Sequence, residues 1–154
     1  MKHLLIILSL LLLPSSLFGQ SGKPQTIIIP TGSLGDISKT RIRILEKTLE
    51  SKLDHYFKIV PKEIFEEAKE KAFEELDYDE CTEDQCIVKI QELLQVQNAF
   101  KMELIHEEGD TQISLTWNDQ DEKRIVENYC EDCKTKDLRK MISGLVEKLV
   151  GGNN

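Results

Sequence analysis

Four cysteines are the residues best suited to chemistry in this 154-residue chain, and they come in two pairs. Cys81 and Cys86 close the segment CTEDQC, and Cys130 and Cys133 close CEDC, each pair standing just ahead of a helical pattern. Three chemistries suit such pairs. Disulfides need an even count and an oxidising compartment. A four-thiolate zinc centre needs both pairs to converge. A thiol–disulfide oxidoreductase would use Cys130 and Cys133, the C-x-x-C pair, as nucleophile and resolving thiol, and it needs a stabilised thiolate. Glu131 and Asp132 lie between those two sulfurs, and Glu80, Glu83 and Asp84 surround the first pair. Carboxylates disfavour a thiolate, which weighs against the last two chemistries.

The compartment helps to decide. Residues 1–20 read as a secretory signal peptide: a basic start at Lys2, ten residues almost wholly Leu and Ile from Leu4 to Leu13, then small and polar residues to Gln20. Ten apolar residues span about 15 Å of helix against roughly 30 Å of hydrocarbon, so this run is too short to anchor the chain. Cleavage is expected after Gly19 or Gln20, with no cysteine nearby to carry a lipid, and no later run is long enough to span a bilayer. The expectation is therefore a periplasmic or otherwise exported protein with Cys81, Cys86, Cys130 and Cys133 in structural disulfides. Closeness in sequence favours 81–86 with 130–133, each loop worth about 2 kcal/mol in the chain-entropy model. Pairing across the two couples would close about fifty residues and be worth about 4 kcal/mol, and spacing alone does not choose between them.

Other constellations carry little chemistry. His55 and His106 share no metal-ligand spacing. The acidic run from Asp77 to Asp84 lacks the glycine and terminal glutamate of a calcium loop. Gly32-x-x-Gly35 follows a strand, but without a Lys-Ser/Thr it reads as a turn rather than a phosphate cradle. Trp117 alternates with Ile113 and Leu115 and is expected in the core. No catalytic residue, metal site or cofactor is assigned.

Charge excludes some partners. Without Lys2 the chain holds 19 basic and 28 acidic residues. Such a balance argues against sequence-independent nucleic-acid binding and against docking on anionic lipid. The acidic excess is concentrated, with 11 acidic residues and two lysines between Glu63 and Asp84. Glu66, Glu67, Glu70 and Glu74 on that helix are the candidate contact residues for a basic protein partner.

These features must be placed by elements. Residues 21–25 form a polar leader. Thr26–Pro30 is a continuous apolar run ended by proline and reads as a strand covered on both faces, followed by a turn over Thr31–Asp36. Ser38 caps a helix with Ile42, Leu45, Leu49 and Leu53 on one face. Phe57–Pro61 is a second short strand, completing a βαβ unit. Ile64, Phe65, Ala68, Ala72, Phe73 and Leu76 stripe a charged helix opened by Pro61, and Gln85–Gln95 forms a shorter one. The period then changes from 3.6 to 2: Phe100–Leu104, Ile113–Trp117 and Arg124–Tyr129 alternate as three strands joined by turns at Glu108–Asp110 and Asn118–Asp121. The final helix carries Leu138, Met141, Ile142, Leu145, Val146 and Leu149, and residues 151–154 are a tail. The predicted fold is α/β: a mixed five-stranded sheet, a βαβ unit followed by an antiparallel three-strand meander, with helices packed on it. Residues 26–150 make a single domain.

Strand IIIP, helix, strand FKIVP, helices, C-x4-C-I-V-K-I-Q-E-L-L-Q-V and a meander together resemble an envelope domain family. Its members include the amino-terminal domain of TolB and related domains of the curli secretion protein CsgG and the lipoprotein LpoB. The resemblance covers about Thr26 to Val150 and lies in segment order. It departs at Gln97–Phe100, where relatives often carry a glycine-rich strand end. The resemblance implies an exported, non-catalytic protein-interaction or assembly module of the bacterial cell envelope, with envelope proteins as partners and no cofactor. The competing function is a periplasmic thiol–disulfide oxidoreductase built on Cys130 and Cys133.

Overall fold

A computed structural model describes residues 22–76, 83–119 and 121–151. Residues 1–21, residues 77–82 with Cys81, residue 120 and residues 152–154 lie outside the described residues. The chain runs β1 (Gln25–Gly35), α1 (Lys39–Leu53), β2 (Lys58–Ile59), α2 (Lys62–Glu75), α3 (Glu83–Leu94), β3 (Asn98–Glu107), β4 (Asp110–Asn118), β5 (Lys123–Cys130) and α4 (Thr135–Val150). The strands form one sheet in the order β2-β1-β3-β4-β5. β1 is parallel to both neighbours, while β3, β4 and β5 form an antiparallel meander. The predicted fold class is the one observed.

Local chemistry sets the ends of these elements. Ser38 Oγ accepts from the Arg41 N–H at 3.2 Å and so satisfies one of the free donors at the start of α1. α3 ends where Gln95 takes a left-handed conformation, φ 54°, and the Val96 N–H closes back on the Gln91 carbonyl. Glu108 and Gly109, at φ 49° and 100°, supply the two positive-φ positions of a two-residue hairpin between β3 and β4. Asp119 Oδ1 accepts from the N–H groups of Asp121 and Glu122, 2.9 and 2.8 Å away, and shapes the next turn. Those two donors hold the Asp119 carboxyl below the usual carboxylate range, with Arg124 at 3.1 Å adding to the effect.

The sheet separates two cores. On one face Phe100, Met102, Leu104, Ile113, Leu115 and Trp117 meet Leu45, Leu49 and Leu53 of α1 and Leu138, Ile142 and Leu149 of α4. Phe57, Phe100 and Trp117 form an aromatic group with ring centroids 5.1–5.7 Å apart. Arg139 Nε donates to Thr48 Oγ1 at 3.1 Å and ties α4 to α1. On the other face Phe65, Ala68 and Ala72 of α2 and Ile87 and Ile90 of α3 cover Ile27 and Ala99. Lys89 Nζ reaches Glu75 at 2.6 Å between those helices, and the carboxylate raises the lysine's pKa. Asn98, itself buried, stitches three strands: its Oδ1 accepts from Trp117 Nε1 at 3.0 Å and its Nδ2 donates to the Gln25 carbonyl at 3.2 Å.

Three expected boundaries are corrected. β1 does not stop at Pro30, and the Thr31–Asp36 segment is no turn: the strand runs on to Gly35 after a bulge between Ile29 and Gly32. Pro30 sits at that irregularity, where a missing N–H removes no ladder bond. β2 keeps only Lys58 and Ile59, and Phe57 turns into the core. Pro61 precedes α2 instead of opening it, and Ile64 is exposed, outside the expected apolar stripe.

Candidate interaction surface

The cysteines do not converge. Cys130, at the end of β5, is bonded to Cys133, with Cα atoms 5.8 Å apart. Both sulfurs pack against the core beneath α1 and α4. Arg41 at the start of α1 donates to the Cys133 carbonyl and fixes this turn from below. Cys86 is also disulfide-bonded and lies on α3, over the opposite face of the sheet. Cys86 and the Cys130–Cys133 pair therefore lie on opposite faces of the sheet and do not meet in one thiolate centre. Glu131 and Asp132 are exposed. His106 sits at the end of β3, its Nδ1 2.9 Å from Thr111 Oγ1.

The acidic helix presents Glu67, Glu70 and Glu74 to solvent, while Glu66 is half-buried and paired with Lys69. Thus three of the four candidate contact carboxylates share an open surface, and the fourth turns toward a groove beside β1.

A larger feature escaped the sequence reading. α2 and α3 cover the face of the sheet around Ile27 and Ala99, and among the described residues no element covers the distal half of that face. Cross-strand register arranges it in rows. Leu34, Ile105, Gln112 and Tyr129 form one row across β1, β3, β4 and β5. Gly32, Glu103, Ser114 and Glu127 form the next, and Ile29, Lys101, Thr116 and Ile125 the one nearest α3. Glu127 accepts from Gln112 at 3.0 Å and from Ser114 at 3.4 Å, and Lys101 meets Glu103 at 3.2 Å. These contacts fix a polar stripe between two margins, one with exposed Leu34, Ile105 and Tyr129 and the other with exposed Ile125 beside Lys101 and Thr116.

The margins are unusual. Tyr129 is 67% exposed, Leu34 68%, Ile125 58% and Ile105 43%. Single exposed apolar residues are ordinary, but four on one sheet face, set by register on either side of a polar row, form a candidate contact surface. Each would gain on the order of 1 kcal/mol from covering what is now exposed. At the α3 end the face dips into a polar cup where Lys123 Nζ meets Asp84 at 3.2 Å. The cue in the sequence was Ile105, Ile125 and Tyr129 standing in the polar phase of alternating strands. Leu34 gave no cue, because its segment read as a turn.

No protein-family model matches the chain, and no curated protein matches it in sequence. Solved structures do match. The LpoB C-terminal domain from Salmonella enterica superposes with a TM-score of 0.53 at 10% identity, over 74% of this chain and 87% of that one. Lipoprotein GNA1162 from Neisseria meningitidis gives 0.50 at 9% identity, over 84% of this chain and 99% of that one. TolB from Acinetobacter baumannii gives 0.47 at 9% identity, over 84% of this chain and 29% of that one. The expected LpoB-like resemblance is present in the structure, and at these identities it is a likeness of fold.

Proposed function

We propose that this chain is an exported, non-catalytic protein-interaction or assembly module of the bacterial cell envelope, and that the bare half-sheet is its docking surface. The observation that carries the reading is the set of four exposed apolar side chains, Leu34, Ile105, Ile125 and Tyr129, bordering a hydrogen-bonded polar stripe. Protein interfaces bury exposed aromatic and apolar side chains such as Tyr129 and Ile125 alongside hydrogen-bonding polar groups. Export is supported by the pattern of residues 1–20 and by disulfides at Cys86 and Cys130–Cys133. The envelope setting is supported by a fold shared with a domain of LpoB and with a lipoprotein. The acidic face of α2, with Glu66, Glu67, Glu70 and Glu74, serves in this reading to steer a basic partner toward the surface.

The test is a photo-reactive amino acid placed at Tyr129 or Ile125 of the full chain expressed in a double-membrane bacterium, with Lys140 on α4 as control. Discrete adducts from the sheet face and none from Lys140 are expected. Equal labelling at all three positions would remove the sheet face as a docking surface. Turnover of a disulfide substrate, abolished by Cys130→Ser, would replace the module with an oxidoreductase.

A further inference from the structure

β1 has a second side that the domain leaves unused. β2 pairs with it only at Gln25 and Thr26, yet β1 runs on for nine more residues. The Thr26 carbonyl accepts from the Val60 N–H on that side at 2.8 Å. Backbone groups repeat in direction every second residue, so the same side next presents Ile28 and Pro30. No strand lies beside them among the described residues. Pro30 brings no donor there, so the edge offers the N–H of Ile28 and the carbonyls of Ile28 and Pro30. A proline on an edge also discourages indiscriminate sheet-to-sheet pairing, which restricts the site to a short guest.

This edge is the floor of a groove of about 200 Å³ between α1 and α2. Ile29, Pro30, Val60 and Phe65 give it apolar walls, and Glu46, Glu50, Glu66 and Lys62 form its rim. Glu66 is already paired with Lys69. Glu46 and Glu50 are one helical turn apart on α1, an arrangement of like charges that is unfavourable until a cation comes between them. Neither is held in an ion pair among the described residues.

We infer that the β1 edge binds a short extended segment of a partner protein carrying Lys or Arg: its backbone pairs with Ile28 and Pro30, an apolar side chain enters the groove, and its cation bridges Glu46 and Glu50. Strand addition of this kind draws affinity from main-chain bonds and specificity from alternate side chains. The inference rests on the module reading but uses a different surface from the bare half-sheet.

The probe is the peptide acetyl-Lys-Val-Lys-Val-Lys-Val-amide, titrated into the signal-free chain and followed by amide NMR, with acetyl-Glu-Val-Glu-Val-Glu-Val-amide as control. The expected result is shifts at Ile28, Thr31 and Val60, slowed exchange of the Ile28 amide, and no response to the glutamate peptide. Glu46→Lys with Glu50→Lys should weaken binding at least tenfold, and raised salt should weaken it in the parent. Shifts confined to Ile105, Ile125 and Tyr129, or binding indifferent to the α1 substitutions, would overturn the inference. So would absence of binding at millimolar peptide. The same shifts appearing without peptide as protein concentration rises would assign the edge to a second copy of the chain, and equally overturn it. Failure here leaves the Tyr129 photo-adducts untouched, so the two readings fail separately.

Discussion

Replacing Asn98 with alanine tests whether three strands are stitched by one side chain. Asn98 and Trp117 are 7% and 8% exposed, and the indole N–H has Asn98 Oδ1 as its partner. Alanine leaves that donor buried without an acceptor, at a cost of about 1–3 kcal/mol. It also deletes the bond from Asn98 Nδ2 to the Gln25 carbonyl, worth about 1 kcal/mol net. The summed loss is about 2–4 kcal/mol. With a urea slope of about 1.5 kcal/mol/M, the unfolding midpoint falls by roughly 1.3–2.7 M. Trp117 is the single tryptophan and reports the transition by its own fluorescence. The decisive measurement adds Trp117→Phe and the double variant, followed by far-UV circular dichroism. Phenylalanine removes the donor, so Asn98→Ala should then cost only about 1 kcal/mol, giving a coupling of about 1–3 kcal/mol. A coupling within about 0.3 kcal/mol of zero would refute the stitch and leave Asn98 a spectator.

Three further outcomes follow from the geometry. Cys130→Ser with Cys133→Ser should destabilise by about 2 kcal/mol, the chain-entropy value for so small a loop, measured by urea denaturation. Gly35→Ala should cost about 1–3 kcal/mol by thermal or urea unfolding, because Gly35 has φ 88° and an added Cβ would fall 1.8 Å from the His106 carbonyl oxygen. Since the folded-state pKa of Asp119 is depressed, its contribution is complete above the unfolded value of about 3.9 and is lost as pH falls through the lower folded value. Asp119→Asn should therefore be less stable than the parent at pH 7, and the gap should close below pH 4; a constant gap down to pH 2 would contradict this.

Elements with strong periodicity were legible. Leu138, Ile142, Leu145, Val146 and Leu149 are all buried on α4, and the alternation around Met102, Leu115 and Trp117 reported the core face of the meander. The Ser38 cap was read correctly from residue type alone. The second half of β1 was not legible, because Pro30, Gly32 and Gly35 are the residues that ordinarily end a strand. Here a bulge admits the proline and parallel pairing with β3 overrides local preference. That same override hid Leu34, one of the four exposed apolar residues of the proposed docking surface. The edge groove was equally hidden: it depends on β2 being two residues long, a boundary no periodicity can set. Placement of Cys86 and Cys130 on opposite faces likewise required the strand order, which spacing between cysteines does not encode.

The partnership of α1 with α4 bears on how the chain acquires its shape. Arg139 and Thr48 lie 91 residues apart, and Thr26 and Asn98 lie 72 apart. The core on that face cannot close until the segment after β5 is available, however early α1 and β1 exist. High contact order of this kind slows folding toward the millisecond-to-second range. On the export reading proposed above, such lateness suits a polypeptide threaded through a membrane in extended form, because its first half lacks the partners that complete the core until the closing helix emerges.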